Sequence, residues 1–132
     1  KKCTRAAEKA DAVCEQLGLT SLADQMASNL SYGDVALLEI GLALATDPKL
    51  LLLDEPICGM GPAETEQTVA KIQEISKHIN IIIIEHDIEV VFKIADEITV
   101  MANGAVLAQG KPKDIAENPD VRTAYLGDDD DD

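Results

Sequence analysis

The sequence predicts an α/β fold built on parallel strands, and three observations carry that reading. Leu50-Leu51-Leu52-Leu53 runs into Asp54-Glu55-Pro56, and Ile81-Ile82-Ile83-Ile84 runs into Glu85-His86-Asp87. A strand whose sheet is covered by helices on both faces reads as a continuous apolar run, so both segments are expected to be buried strands. Between them, residues 63–78 form a helix, with Thr65, Val69, Ile72 and Ile75 giving part of an inward stripe. Strand, helix, strand at this spacing is one βαβ unit with parallel, right-handed connectivity.

The remaining elements follow in order. Residues 4–17 (TRAAEKADAVCEQL) are helix formers and stop at Gly18, which suits a helix C-cap. Residues 18–30 read as a connector with one short helical turn. A turn at Ser31 to Gly33 precedes a helix at 34–46, which ends before Asp47-Pro48. A Gly/Pro loop at 56–62 follows the first strand, and a helix at 87–95 follows the second. Ile98 to Met101 and Ala105 to Ala108 flank Asn103-Gly104, a strong hairpin dipeptide. The remainder, to Leu126, reads as two short helices interrupted by Pro112 and Pro119.

Composition bounds the possibilities. A chain of 132 residues supplies one modest core, and with two tyrosines, one phenylalanine and no tryptophan that core must be aliphatic. Net charge is −14, and without the terminal run Asp128 to Asp132 it is still about −9. That balance disfavours nucleic acid or an anionic membrane as a direct partner. The run itself reads as a solvated, disordered tail. Cys3, Cys14 and Cys58 are odd in number and lack metal-ligand spacing, which fits free thiols in a reducing compartment. No signal peptide is visible, and the apolar runs are too short to span a bilayer.

Chemistry concentrates at the strand ends. Open α/β sheets bind ligands beyond the C-terminal ends of their strands. Asp54 and Glu55 stand there as a pair of carboxylates, one suited to a metal and one to a base. Pro56 ends the strand beneath them, and His86 lies two residues past the neighbouring strand. Ser31 and Gly33 begin a helix, whose unpaired N–H groups and partial positive charge suit phosphate. Each feature alone is unspecific: many strands end in an acid, and a Ser/Gly turn is an ordinary cap. His78, at a helix end, reads as an ordinary surface residue.

Taken in order, Leu30-Ser31-Tyr32-Gly33-Asp34, Leu53-Asp54-Glu55-Pro56 and Glu85-His86-Asp87 resemble the signature motif, the Walker B strand with its catalytic glutamate, and the switch histidine of ABC-type ATPases. The resemblance covers nearly the whole chain. It implies a partial RecA-like P-loop NTPase fold of the ABC ATPase type: a helical signature region at 1–46, the C-terminal part of the ATPase core at 47–127, and the tail at 128–132. Asp54 would hold Mg²⁺ through its water shell. Glu55 would orient and deprotonate the attacking water, and His86 would reach the γ-phosphate of ATP. Leu30 to Asp34 would contact the nucleotide held by the opposite protomer of a head-to-tail dimer, with the Asp34 carboxylate pointing aside from phosphate. Gly59-Met60-Gly61 falls where the family places its D-loop, which crosses the dimer interface. Transmembrane permease subunits and a peripheral position on the cytoplasmic face of the membrane are implied as well.

Within the family, Leu-Ser-Tyr-Gly-Asp, Leu-Glu-Ile-Gly-Leu-Ala-Leu-Ala at 38–45, the loop at 59–65 and the ending Ala124-Tyr125-Leu126-Gly127 resemble ATPase subunits of branched-chain amino-acid uptake transporters. Some positions depart from the family pattern. Gly61 replaces the usual Asp or Asn, Val35-Ala36-Leu37 follows the signature where Gln and Arg are common, and Leu42 stands where Arg is frequent. The helix at 34–46 is consequently apolar nearly all round and must be buried on most sides or expose an adhesive face.

No Gly-x-x-x-x-Gly-Lys-Ser/Thr occurs in the chain, and its first residue is lysine. The expectation is an excerpt of a longer polypeptide carrying half an active site, inactive alone, with an Ile-rich strand edge that invites self-association. Two other readings remain. One is a non-catalytic interaction module of the same fold. The other is the C-terminal lobe of a DNA-maintenance ATPase, which the lack of a long heptad run or a basic stretch disfavours.

Overall fold

The computed structural model describes residues 2–126, with side chains described over 4–125. Gly127 and the acidic run Asp128–Asp132, the run expected to be a disordered tail, lie outside the described residues. The chain divides into two compact units, one up to His86 and one from Asp87 onward.

The first unit contains α1 (Lys2–Leu17), two single 3₁₀ turns (Thr20–Leu22 and Ala27–Asn29), α2 (Tyr32–Leu44), β1 (Leu50–Asp54), α3 (Pro62–Ser76) and β2 (Asn80–Ile84). Gly18 ends α1 at φ +74°, with the Leu19 N–H returning to the Cys14 carbonyl at 2.8 Å, so the C-cap lies where the sequence placed it. β1 and β2 pair in parallel, Leu50 opposite Asn80 through Asp54 opposite Ile84. Leu17, Leu19, Leu37, Ile40, Leu51, Ile72 and Ile75 form the core, with Leu53, Ile81 and Ile83 packed against it. On α3, Thr68 is buried with Val69, Ile72 and Ile75, while Thr65 is only partly covered.

The expectation of two fully buried strands is corrected here. Alternate residues of a strand point to opposite faces. One face of the pair, Leu51 and Leu53 with Ile81 and Ile83, meets the core. The other leaves Leu52 68% exposed, Ile82 54% and Ile84 62%. Apolarity at every position records that neither face is built for water, but it does not name what covers each one. In this unit α1, α2 and α3 all contribute to the same core. Helix α2 differs from expectation in its start, and of the two outcomes expected for its apolar surface it shows the exposed one. It begins at Tyr32 rather than 34, and it leaves Leu42 67% exposed while burying Leu37, Ile40 and Gly41.

The second unit runs α4 (Ile88–Ile94), β3 (Ile98–Ala102), β4 (Ala105–Gly110), α5 (Pro112–Ala116), a helical turn at Pro119–Val121 and a wide π-type turn at Arg122–Leu126. β3 and β4 form the hairpin expected from Asn103-Gly104, which adopt φ +52° and +77°, the left-handed pair that a tight two-residue turn requires. Ile98, Ile115 and Val121 make a small core of their own. Pro112 and Pro119 open helical segments instead of interrupting them, because proline at the first helical position forfeits no hydrogen bond. The Tyr125 hydroxyl donates to the Met101 carbonyl.

Candidate functional site

The first cluster stands at the C-terminal ends of β1 and β2. Asp54 closes β1 and is exposed, with the same facing as Leu50 and Leu52. The next residue does not continue that alternation. Glu55 has φ +47°, a left-handed conformation that costs a non-glycine residue about 1–2 kcal/mol. Two hydrogen bonds hold it there: its N–H donates to the Ile84 carbonyl at 2.8 Å, and its carbonyl accepts from the Cys58 N–H at 3.1 Å. The kink takes Glu55 out of the strand's alternation and into the turn that follows β1.

Glu55 thereby meets the end of the neighbouring strand. Its Oε1 lies 3.2 Å from Nδ1 of His86, whose side chain is largely exposed while that of Glu55 is half-buried. Beneath them the Ile57 N–H donates to Glu85 Oε1 at 3.3 Å, so the residue before the histidine braces the loop after β1. The sequence placed Glu55 and His86 at one rim and the structure brings them into contact. Glu85 was quoted in its motif without a role, and no local pattern could have supplied one. Among the described residues no group of three or more His, Cys, Asp or Glu side chains is arranged to hold a metal. A hard ion at Asp54 would therefore take its remaining oxygen ligands from water or phosphate, which is how Mg²⁺ is usually bound.

The second cluster gathers at the N-terminus of α2. Ser31 is the N-cap, its Oγ accepting from the Asp34 N–H at 3.1 Å while its hydroxyl lies 2.9 Å from Asp34 Oδ2. Leu30 is extended and partly buried, and Tyr32 is 72% exposed. The Gly33 N–H donates at 2.8 Å to Oε1 of Glu64, from the first turn of α3. The Gly33 amide and then the Ser31 hydroxyl hold the Glu64 carboxyl below the ordinary glutamate range; burial opposes them less strongly, and the Gly61 amide adds the least. The Ser31 hydroxyl has a single proton, so Asp34 and Glu64 compete for it.

Gly59, Met60 and Gly61 link the two clusters along the chain. Gly59 adopts φ +79°, and Gly61 is the N-cap of α3 without a side chain to cap it. A Cβ at Gly61 would meet nothing within 4 Å, so the Asp or Asn usual in the ABC pattern would fit there without strain. Met60 turns inward, its sulfur accepting from the buried Thr68 hydroxyl at 3.4 Å.

Comparison with known proteins finds matching families and relatives. The family described as "ABC transporter" matches residues 3–58, and "Branched-chain amino acid ATP-binding cassette transporter" matches residues 105–131. The high-affinity branched-chain amino acid transport ATP-binding protein LivG of Salmonella typhimurium is 44% identical over 126 residues, covering 94% of this chain and 49% of the relative. The chain belongs to the ATP-binding cassette family.

A probable branched-chain amino acid transport ATP-binding protein LivG of Archaeoglobus fulgidus is likewise 44% identical, over 91% of this chain and 47% of its own length. Among solved structures, an ATP-binding cassette of an ABC transporter in its ADP conformation superposes with a TM-score of 0.84 at 36% identity, covering 94% of this chain and 51% of that one. The fold is accordingly a partial P-loop NTPase fold of the cassette type. The chain spans about half the length of the curated relatives it matches.

Proposed function

We propose that this chain is the signature-to-switch portion of an ATP-hydrolysing subunit that powers import of branched-chain amino acids. The observation that carries the proposal is the pairing of Glu55 with His86 at 3.2 Å, above the ends of two parallel strands and beside Asp54. In that reading Glu55, set at the left-handed turn after β1, orients the attacking water and takes its proton. His86 holds Glu55 in place and faces the γ-phosphate. Mg²⁺, when bound, would neutralise phosphate charge beside Asp54. Ser31 and Gly33 serve the nucleotide of a second protomer packed head-to-tail, with Gly59, Met60 and Gly61 on the interface between them.

The names of the relatives support branched-chain amino acids as the transported class. Permease subunits are the membrane partners, and the subunit sits peripherally on the cytoplasmic face. Among the described residues no helix is long and apolar enough to cross a membrane. In this reading the chain by itself is half a site and inactive, and among the described residues β2 pairs with β1 alone, which offers an edge for self-association.

Reconstitution of the complete ATPase with its permeases tests the proposal. Leucine should stimulate Mg-ATP hydrolysis and accumulate in an ATP-dependent manner. Hydrolysis indifferent to every branched-chain amino acid would overturn the substrate class.

A further inference from the structure

We propose that Glu64 is an internal stand-in for phosphate, seated on the start of α2 and displaced when a nucleotide docks there. The inference rests on the reading of Ser31 and Gly33 as phosphate contacts.

Glu64 is not a local cap. It comes from α3, 31 residues further along the chain, and reaches across to take the Gly33 N–H at 2.8 Å. Gly33 is shaped for that approach. A Cβ there would lie 2.6 Å from Glu64 Cγ, 3.0 Å from its Oε1 and 3.1 Å from its Cδ. Only a residue without a side chain lets an anion come so close to the backbone, and a phosphate oxygen would need the same opening. Donors from three places, the Gly33 amide, the Ser31 hydroxyl and the Gly61 amide, favour the ionised carboxyl. The start of α2 therefore favours an anion on the Gly33 amide.

One N–H cannot serve two strong acceptors at full strength, and two anions at hydrogen-bonding distance from one donor repel. Arrival of a phosphate on Gly33 must move the Glu64 carboxylate aside. Glu64 lies in the first turn of α3, whose N-cap is Gly61. Its displacement consequently acts on the 59–61 loop, so occupancy of the signature turn is passed to the segment that faces the partner protomer.

The test uses the complete ATPase and the Mg-ATP dependence of its hydrolysis, with thermal unfolding run alongside. Glu64→Gln keeps the shape and an acceptor for Gly33 but removes the charge. It should lower the half-saturating Mg-ATP concentration roughly threefold to tenfold, the step from a charge-assisted to a neutral hydrogen bond, with kcat within about twofold. Glu64→Ala should lower it at least as far. Unchanged or raised half-saturation in Glu64→Gln, with melting preserved, would overturn the stand-in role and leave Glu64 a clasp between α2 and α3. Ser31→Ala separates this failure from failure of the underlying reading. It should raise half-saturation, and if it leaves ATP dependence untouched, the phosphate reading of the signature turn and the Glu64 proposal both fall.

Discussion

Gly41 offers a substitution whose sign depends on two opposing effects of similar size. It lies inside α2 and is buried where α1 crosses, and a Cβ built on it would sit 2.9 Å from Leu17 Cδ1 and 3.2 Å from Val13 Cγ1. Replacing glycine by alanine inside a helix ordinarily gains about 1 kcal/mol, because the unfolded chain has less freedom to lose. Here Leu17 is 1% exposed and belongs to the central core, so its methyl has nowhere to retreat. Forcing an extra methyl into a packed core costs about 1–3 kcal/mol. Gly41→Ala should therefore destabilise the fold by about 1 kcal/mol net. Urea unfolding followed by circular dichroism measures it, read from the midpoint at unchanged slope. The decisive control is Leu17→Val, which removes the crowding Cδ1. In that background Gly41→Ala should become stabilising, by up to about 1 kcal/mol. Stabilisation by Gly41→Ala in the native background, or an equal loss in both backgrounds, would refute the close-packing argument.

Two other perturbations bear on the fold and the site. Ile82→Lys, on the open face of the β1–β2 pair, should change stability by no more than about 0.5 kcal/mol while reducing self-association, whereas Ile83→Lys, aimed at the core, should unfold the chain; sedimentation and urea midpoints distinguish the two. The Glu64 carboxyl is held below its ordinary value in the folded state, so its contribution to stability is complete above the unfolded pKa and is lost as pH falls through the folded one. Carbon-13 titration of that carboxyl should give a midpoint below the normal glutamate value of 4.5, and a normal midpoint would deny the contact with Gly33.

Much of this molecule is legible locally. The Asn103-Gly104 turn, the Gly18 cap and the existence of two strands at the apolar runs each declare themselves within a few residues, because turn geometry, capping and strand propensity are short-range constraints. Asp54, Glu55 and His86 were equally readable as strand-end residues. What escaped is tertiary. Glu64 and Glu85 acquire roles by meeting Gly33 and Ile57 from 31 and 28 residues away, and no spacing rule reports such meetings. The left-handed Glu55 was hidden too, since the side chain gives no hint of the kink that the Ile84 and Cys58 hydrogen bonds impose. The continuous leucine and isoleucine runs led to an expectation of two covered faces, because composition measures affinity for burial and not the presence of a neighbour.

Glu55→Gln in the complete ATPase tests the central claim most directly. The amide keeps the size of the side chain and its reach to His86, but cannot accept a proton from water. Nucleotide binding by calorimetry should persist while turnover falls by roughly a hundredfold or more, the contribution expected of a positioned general base. Turnover close to the native rate would contradict the account, and Glu55 would then be a structural residue at the end of β1.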